Sequence, residues 1–232
     1  MVGIEEVYRT YVYNPINFVW PIFIFFILSL LAFLSALFLY INANIFLNFF
    51  GVDYYIVLTI FSLLFLYVLA GFYGGVLKGF KLTYETKKRI GFEEFLKYSK
   101  EKSLHFFLVF LIKIVVNLLI IAIFYHFLIN QQFPIQIVGI FLFVPSFFVL
   151  NYFLYFVSIG MVIYEGIGFV RAFTLSLFTS LHNILYLISS YIMHVIVLPT
   201  FLLPFFNLFS FFIFYPVVET FAIARMKKVM IK

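Results

Sequence analysis

The chain has 232 residues, of which 66% are hydrophobic and 10% are charged, and its mean hydropathy is +1.18. A soluble domain has about 25% charged residues and about half apolar ones, so this composition excludes a soluble enzyme or a nucleic-acid-binding protein despite the net charge of +6. The chain contains no cysteine, which excludes disulfides, thiolate metal sites and cysteine nucleophiles. We therefore expect a protein of the lipid bilayer with no nucleic-acid partner.

Six apolar runs are each long enough to cross the bilayer core, which requires about 20 residues in a helix. In chain order they lie near 18–40, 54–77, 106–128, 135–163, 181–203 and 205–224. Apolar side chains follow one another in these runs without alternation, which is typical of membrane helices and not of barrel strands. The fourth run is the longest and contains Pro145, so we expect it to tilt, to extend past the interface or to bend.

The basic residues fall on one side of the predicted membrane. Fourteen of the 15 Lys and Arg residues lie at the amino terminus, after the second and fourth runs, or in the carboxy-terminal tail, and the remaining one, Lys113, lies within a run. Because cytoplasmic loops carry the excess of Lys and Arg, this distribution predicts that both termini are cytoplasmic and that the number of spans is even. We expect a multi-pass protein of the cell membrane with a single membrane domain over 1–232.

The segment between the second and third runs is the most basic part of the chain. Residues 85–103 place Phe92, Phe95, Leu96 and Ser99 on one helical stripe, which predicts an amphipathic helix at the cytoplasmic interface that leads into the third span. The alternative is a solvated charged linker. The basic cluster of this segment consists of Lys87, Lys88, Arg89, Lys97, Lys100 and Lys102. Anionic lipids of the inner leaflet attract such residues with about 1 kcal/mol each, so these lipids are the expected partners.

A shift of 77 residues reveals an internal repeat. Residues 91–108 align without a gap on 168–185, and seven of the 18 aligned positions are identical. The start of the pattern also occurs at the amino terminus, where 3–7 parallels 91–95. This predicts three units, each an interfacial amphipathic helix followed by a transmembrane hairpin. The units lie near 1–80, 85–164 and 165–232. The predicted fold is all-α, with six transmembrane helices in three hairpin repeats related by an axis along the membrane normal.

The repeated unit carries a resemblance to known families. It is a Gly-led amphipathic segment with Ala and Ser on one face, as in 168–176, followed by a span. In this unit the chain resembles six-span membrane families of unknown function in archaea and bacteria, which include the YciC-like proteins and the membrane domain attached to some glycerophosphoryl diester phosphodiesterases. The resemblance covers most of the chain at the level of pattern. It implies a multi-pass inner-membrane protein and supplies no catalytic residues.

Ionisable side chains inside the spans are the first candidates for a functional site. Lys113 in the third span and Glu219 in the sixth lie at similar depths, each about 10 Å from the cytoplasmic end, which allows an ion pair. Such a pair is either a structural staple or a substrate or proton site. Alternatively, Lys113 snorkels to the interface and Glu219 contacts water or Arg225.

Asn117 lies one turn beyond Lys113, and the repeat aligns it with His194. Together with Asn151 these residues can line a polar seam between repeats, or each can make an ordinary interhelical hydrogen bond. The candidate intramembrane polar site therefore consists of Lys113, Asn117 and Glu219.

A stripe of glycines on the second span, Gly71, Gly75 and Gly79, recurs every four residues. Such a stripe lets the backbone of another helix approach closely. The partner helix belongs to the same chain or to a second copy, which leaves the oligomeric state open. The intramolecular alternative is favoured because six spans offer many partners.

The sequence lacks the common motifs of catalysis. It has no H-E-x-x-H, P-loop or G-x-S-x-G motif, and motifs of prenyl-protein-type intramembrane proteases occur only with the wrong spacing or order. His105 and His182 occupy equivalent positions at the starts of two spans, where interfacial anchoring is favoured over metal binding because no third ligand accompanies them. We expect no enzymatic activity, no cofactor and no metal.

Two functional hypotheses follow from the sequence. The first is a non-catalytic membrane protein that organises lipid or a partner membrane protein through its basic inner face. The second is a small transporter or channel with a polar site around Lys113, Asn117 and Glu219. The first is favoured because the predicted spans contain few polar residues and few helix breaks, whereas transporters unwind helices around their sites.

Overall fold

The structure, a computed structural model, describes residues 3–42, 54–130, 133–200 and 210–230. Helices account for 93% of these residues and none of them lies in a strand, which confirms the predicted all-α class. Over this part of the chain the helices are α1 Ile4–Tyr13, α2 Pro15–Ile41, α3 Tyr54–Thr86, α4 Phe92–Asn130, α5 Phe133–Ile163, α6 Phe169–His182, α7 Ile184–Thr200 and α8 Tyr215–Met230. A π-helical turn, Ser210–Phe214, leads directly into α8.

Within the described ranges, four helices are long and apolar enough to cross a membrane. These stretches are Pro15–Phe38 of α2, Thr59–Thr86 of α3, Phe92–His126 of α4 and Ile135–Ile163 of α5. The helices α6 and α7 meet the same criterion only as a pair, and they are bent by 102° at their junction. Counting that pair as one span gives five in the described ranges. The end of the fifth predicted run, 201–203, and the start of the sixth, 205–209, lie outside the described residues. Of the remainder of the sixth run, 210–214 form the π-helical turn and 215–224 lie in α8, which has 16 residues.

The helix predicted over 85–103 has different bounds: residues 85 and 86 belong to the end of α3, and 92–103 form the first turns of α4, which continues into the third predicted span. The helix α3 ends at Thr86, and Lys87 adopts a left-handed conformation with φ of 60°, which is a common way to end a helix. The helix α4 begins at Phe92 and continues for 39 residues, about 58 Å, so it is far longer than the bilayer core of about 30 Å. The first turns of α4 therefore extend beyond the core or the helix is strongly tilted.

The buried stripe of α4 differs from the predicted one. Phe95 and Ser99 are buried, whereas Phe92 and Leu96 are exposed. The reason is the packing of α4 against α3, which buries positions four residues apart, with Ser103 continuing the stripe. Pro145, where the sequence allowed a bend, lies inside a single continuous helix α5.

Glycines allow the closest helix contacts. A Cβ atom on Gly75 of α3 would lie 2.5 Å from Ser99 Oγ, and one on Gly71 would lie 2.8 Å from the backbone oxygen of Ser99. Gly79 faces α2 instead, where its Cβ would lie 2.6 Å from Pro21 Cγ. The glycine stripe of α3 therefore contacts helices of the same chain on two sides.

The helix α8 lies at the centre of the molecule. It contacts α1, α3, α5, α6 and α7, and every residue from 216 to 224 is buried. By contrast, large apolar side chains on α2, α4 and α5 are exposed, for example Phe38, Leu118 and Phe141. Such surfaces are stable in contact with lipid chains, whereas in water they would be costly.

Candidate functional site

A fully buried carboxylate, that of Glu219, lies at the junction of three helices. His194 of α7 places its Nδ1 atom 2.7 Å from Glu219 Oε1, and the hydroxyl of Tyr155 on α5 donates a hydrogen bond of 3.2 Å to Glu219 Oε2. The Tyr155 and His194 rings also contact each other, with centroids 4.3 Å apart. A buried carboxylate is costly unless it is hydrogen-bonded, and these two side chains contact both of its oxygens.

Further polar groups surround this pair. Tyr73 of α3 and Tyr215 at the start of α8 share a hydrogen bond, and both hydroxyls lie within electrostatic range of Glu219. The Lys113 ammonium of α4 is also within that range, but the close contact to the carboxylate is made by His194. We call Glu219, His194, Tyr155, Tyr73 and Tyr215 the buried polar centre.

Arg225, the alternative partner predicted for Glu219, makes its contacts elsewhere. The Arg225 guanidinium donates to the backbone oxygen of Tyr186 and to Ser189 Oγ, and it stacks 4.5 Å from the ring centroids of both Tyr186 and Phe221. Arg225 therefore links α8 to α7 and does not neutralise Glu219.

Asn117 belongs to a separate contact between α4 and α5. The Asn117 and Asn151 amides bond reciprocally, with nitrogen–oxygen distances of 3.3 and 2.8 Å, and Asn151 also donates to the backbone oxygen of Phe147 at 2.9 Å. The structure thus places the three predicted polar residues in two groups, with Lys113 near Glu219 and Asn117 paired with Asn151. This arrangement corresponds to the interhelical hydrogen bond that the sequence left as one alternative.

A second polar cluster lies in the loop 164–168 between α5 and α6, around Glu165. Lys78 Nζ lies 2.9 Å from each carboxylate oxygen of Glu165, and Lys81 Nζ lies 3.0 Å from Oε1. Lys102 of α4 donates a 2.8 Å hydrogen bond to the backbone oxygen of Glu165. We call these four residues the lysine cradle. It joins the end of α3, the start of α4 and the end of α5.

Positive groups outnumber negative ones in the lysine cradle, which places three ammonium groups around one carboxylate. Partial burial tends to raise the pKa of Glu165, but the hydrogen bonds and charges of Lys78 and Lys81 outweigh burial and hold this pKa below its ordinary value. The ring of Tyr98 lies beneath Lys78, with 5.5 Å between its centroid and Nζ. Within the described chain, the buried Tyr98 hydroxyl has no hydrogen-bond partner.

The predicted basic cluster is divided between structural contacts and solvent. Lys102 belongs to the lysine cradle, Lys87 donates to Thr10 Oγ1 at 3.1 Å, and Arg89 lies 5.3 Å from the Trp20 ring. The cluster members with exposed side chains and no such contact among the described residues are Lys88, Lys97 and Lys100.

Sequence reasoning missed several residues of these sites. The repeat did place His194 in a possible polar seam with Asn117 and Asn151, but nothing in the pattern paired it with Glu219. Tyr155 is one of 17 tyrosines and carried none. Lys78 and Lys81 were recognised as basic but not as ligands of Glu165, since their partner lies more than 80 positions away.

No protein-family model, curated protein or solved structure matches this chain, so function has to be argued from its own geometry. Among the described residues there is no group of three His, Asp or Glu side chains able to hold a metal ion. The described residues offer two polar sites: the buried contact between Glu219 and His194, and the cluster of lysines around Glu165.

Proposed function

We propose that the chain is a non-catalytic, six-span membrane protein, with both termini in the cytoplasm, whose inner face binds anionic lipids. The observation that carries this proposal is the convergence of cationic segments at one end of the bundle. Lys102 and Glu165 join the start of α4 to the end of α5, and Lys227 Nζ lies 2.7 Å from Glu85 Oε1, which joins the end of α8 to the end of α3. The exposed lysines of the basic cluster lie at this same end.

Helix boundaries support the three-unit organisation. The ends of α3 and α5, at Thr86 and Ile163, are separated by 77 residues, and so are the starts of α4 and α6, at Phe92 and Phe169. This is the shift of the sequence repeat. The equivalent loops therefore have equal length, as expected for hairpins that derive from one unit.

A second similarity relates the first and third units. The short helices α1 and α6 both follow a glycine and both stop at an asparagine before an apolar helix. The Asn14 amide donates to the Thr10 backbone oxygen at 3.3 Å, and the Asn183 amide donates to that of Thr179 at 2.9 Å. The second unit replaces this break with the continuous helix α4.

The orientation is tested with single cysteines, because the natural chain has none. Cells that carry Glu94→Cys or Gln132→Cys are exposed to a membrane-impermeant thiol reagent before and after permeabilisation. We expect Gln132→Cys, whose position lies outside the described residues, to react in intact cells and Glu94→Cys to react only after permeabilisation. The reverse pattern would contradict the proposed orientation.

Lipid binding is tested by titrating the detergent-solubilised protein with dioctanoyl phosphatidylglycerol or dioctanoyl phosphatidylcholine and counting bound lipids by native mass spectrometry. We expect preferential binding of phosphatidylglycerol. Replacing Lys88, Lys97 and Lys100 together by Gln should weaken phosphatidylglycerol binding. Each lysine contributes about 1 kcal/mol of attraction at low salt, which corresponds to about a fivefold loss of affinity per lysine. The matched control replaces Glu93 and Glu94 by Gln in the first turn of α4, which removes negative charge and should strengthen phosphatidylglycerol binding. Equal binding of both lipids would refute the proposal.

A proton-coupled transporter is the second candidate, favoured by the contact between Glu219 and His194. Intramembrane acid–histidine pairs are typical of proton pathways. Single cysteines at Lys113, Asn117 and Glu219, labelled with impermeant reagents from either side, test this function. Labelling from both sides that changes with added solute supports a transporter, and protection of all three positions from both sides rules it out.

A further inference from the structure

The lysine cradle contains more positive charge than a structural ion pair needs. The carboxylate and backbone oxygens of Glu165 accept hydrogen bonds from three ammonium groups, although a single cation would neutralise the charge. The Lys78 and Lys81 side chains are only 17% and 14% exposed, so both ammonium groups are partly withdrawn from water beside a single carboxylate. Two positive charges remain uncompensated by Glu165, and this excess indicates a place for an additional anion.

The donors of the cradle also exceed the acceptors that Glu165 offers. An ammonium group has three N–H donors; Lys102 uses one of them on the backbone oxygen of Glu165, and Lys81 uses one on the backbone oxygen of Val162 at 3.1 Å in addition to its bond to the Glu165 carboxylate. Tyr98 is 7% exposed, its hydroxyl has no partner in the described part of the chain, and it lies within electrostatic range of Glu165 and, more weakly, of Glu101. A phosphate group has more acceptor oxygens than a carboxylate and carries up to two negative charges, so it matches both the surplus donors and the surplus charge.

The cradle is accessible from the inner end of the bundle. Glu165 lies in a five-residue loop with its side chain 30% exposed, and the loop contains Gly166 and Gly168, at which an added Cβ would meet no atom within 4 Å. Lys78 and Lys81 lie about 12 and 8 Å along the helix from the end of α3. This is the depth at which the phosphates of an inner leaflet lie if α3 extends past the hydrocarbon core.

We propose that Lys78, Lys81 and Lys102 form a binding site for a phosphate group, in which the Glu165 carboxylate is a displaceable internal counter-ion. The site rests on the proposed function in that it is located on the face assigned to anionic lipids, but it is a single defined site and not a diffuse surface. Its ligand is the phosphate of a lipid headgroup or a free phosphate ion.

The substitution Glu165→Gln separates this proposal from a purely structural role of the cluster. If Glu165 competes with the ligand, removing its charge strengthens phosphate binding by about fivefold or more, and Lys81→Gln weakens it by about tenfold. If the cluster is only a staple, Glu165→Gln has no such effect. Lys102→Gln is a milder second variant, because its described contact to the cradle is one hydrogen bond to a backbone oxygen, and it should also weaken binding.

The experiment titrates the full chain in neutral detergent with dioctanoyl phosphatidic acid, inorganic phosphate or dioctanoylglycerol, and measures one-to-one complexes by native mass spectrometry. We expect the phosphatidic acid to bind and dioctanoylglycerol, which lacks the phosphate, not to bind. Comparable binding of inorganic phosphate identifies a soluble ligand for the same site. Unfolding midpoints of each variant in the absence of ligand show whether the fold is retained.

The two proposals fail in different ways. A saturable phosphatidic acid site that survives the Lys88, Lys97 and Lys100 substitutions but weakens in Lys81→Gln and Lys102→Gln supports the cradle. If Glu165→Gln leaves phosphatidic acid binding unchanged or weakens it, the proposed phosphate site is wrong. The broader lipid-binding function is still supported in that case if a preference for phosphatidylglycerol depends on the exposed lysines.

Discussion

The contact between Gly160 of α5 and Ser176 of α6 allows a strong test of the packing. A Cβ on Gly160 would lie 2.6 Å from Ser176 Cβ and still closer to Ser176 Oγ, and 3.2 Å from Met226 Cε. Ordinary contacts of such atoms lie at 3.4–4 Å, so Gly160→Ala overlaps the serine by nearly 1 Å. Overpacking of this kind costs about 1–3 kcal/mol, and we expect a loss of unfolding free energy in that range.

The substitution Ser176→Gly should rescue Gly160→Ala. It removes both overlapping atoms, and among the described residues the Ser176 hydroxyl bonds to the Ala172 backbone oxygen of its own helix, at 2.6 Å. Alone, Ser176→Gly should cost about 0.5–1 kcal/mol through helix propensity. The double variant should therefore be more stable than Gly160→Ala, with a coupling energy of at least about 1 kcal/mol.

The same logic predicts no rescue on the other hairpin. In Gly71→Ala the added Cβ meets the backbone oxygen of Ser99 at 2.8 Å as well as the Ser103 side chain, so Ser103→Gly leaves the backbone overlap in place. Unfolding in mixed micelles can be followed through the fluorescence of Trp20, the single tryptophan. Gly166→Ala, which meets no atom within 4 Å, is the control. A neutral Gly160→Ala, or a double variant as unstable as the single one, would refute the packing.

Three further outcomes are expected. Glu219→Ala leaves His194 and the Tyr155 hydroxyl without their hydrogen-bond partner, which costs about 1–3 kcal/mol for each unsatisfied group. The unfolding free energy in micelle denaturation should therefore fall by about 2 kcal/mol or more, and a change below about 1 kcal/mol would contradict the buried polar centre. Asn117→Leu alone and Asn117→Leu combined with Asn151→Leu should each lower the unfolding free energy by about 0.6 kcal/mol, because either change removes the same pair of hydrogen bonds. If the losses of the two single variants add in the double variant, the two amides act separately. Because the pKa of Glu165 is lower in the folded protein than its ordinary value, the ionised carboxylate stabilises the fold at pH values above that ordinary pKa. This stabilisation is lost as the pH falls through the pKa of the folded state. The unfolding midpoint should therefore fall less between pH 7 and pH 3 in Glu165→Gln than in the natural chain.

Local properties of the sequence were sufficient for the helical class. Apolar runs of sufficient length must satisfy their backbone groups internally within lipid, and this requirement predicts helices from composition alone. The four longest stretches agree with the predicted first four spans, although α3 and α4 extend well beyond them. The predicted start of the amphipathic segment at residue 85 is wrong because residues 87–91 are not helical, whereas from Phe92 the helix continues into the third span as predicted.

The sequence by itself therefore determined that the protein is helical and apolar enough for a membrane, and which of its few charged residues deserved consideration. Only the tertiary structure decided that Glu219 pairs with His194, that Asn117 pairs with Asn151, and that Lys78 and Lys81 hold Glu165. Hydropathy depends on each residue alone, whereas these pairings depend on the rotation and register of one helix against another. The rotation and register are set by close contacts such as those of Gly75 with Ser99 and Gly160 with Ser176, which a one-dimensional pattern does not encode.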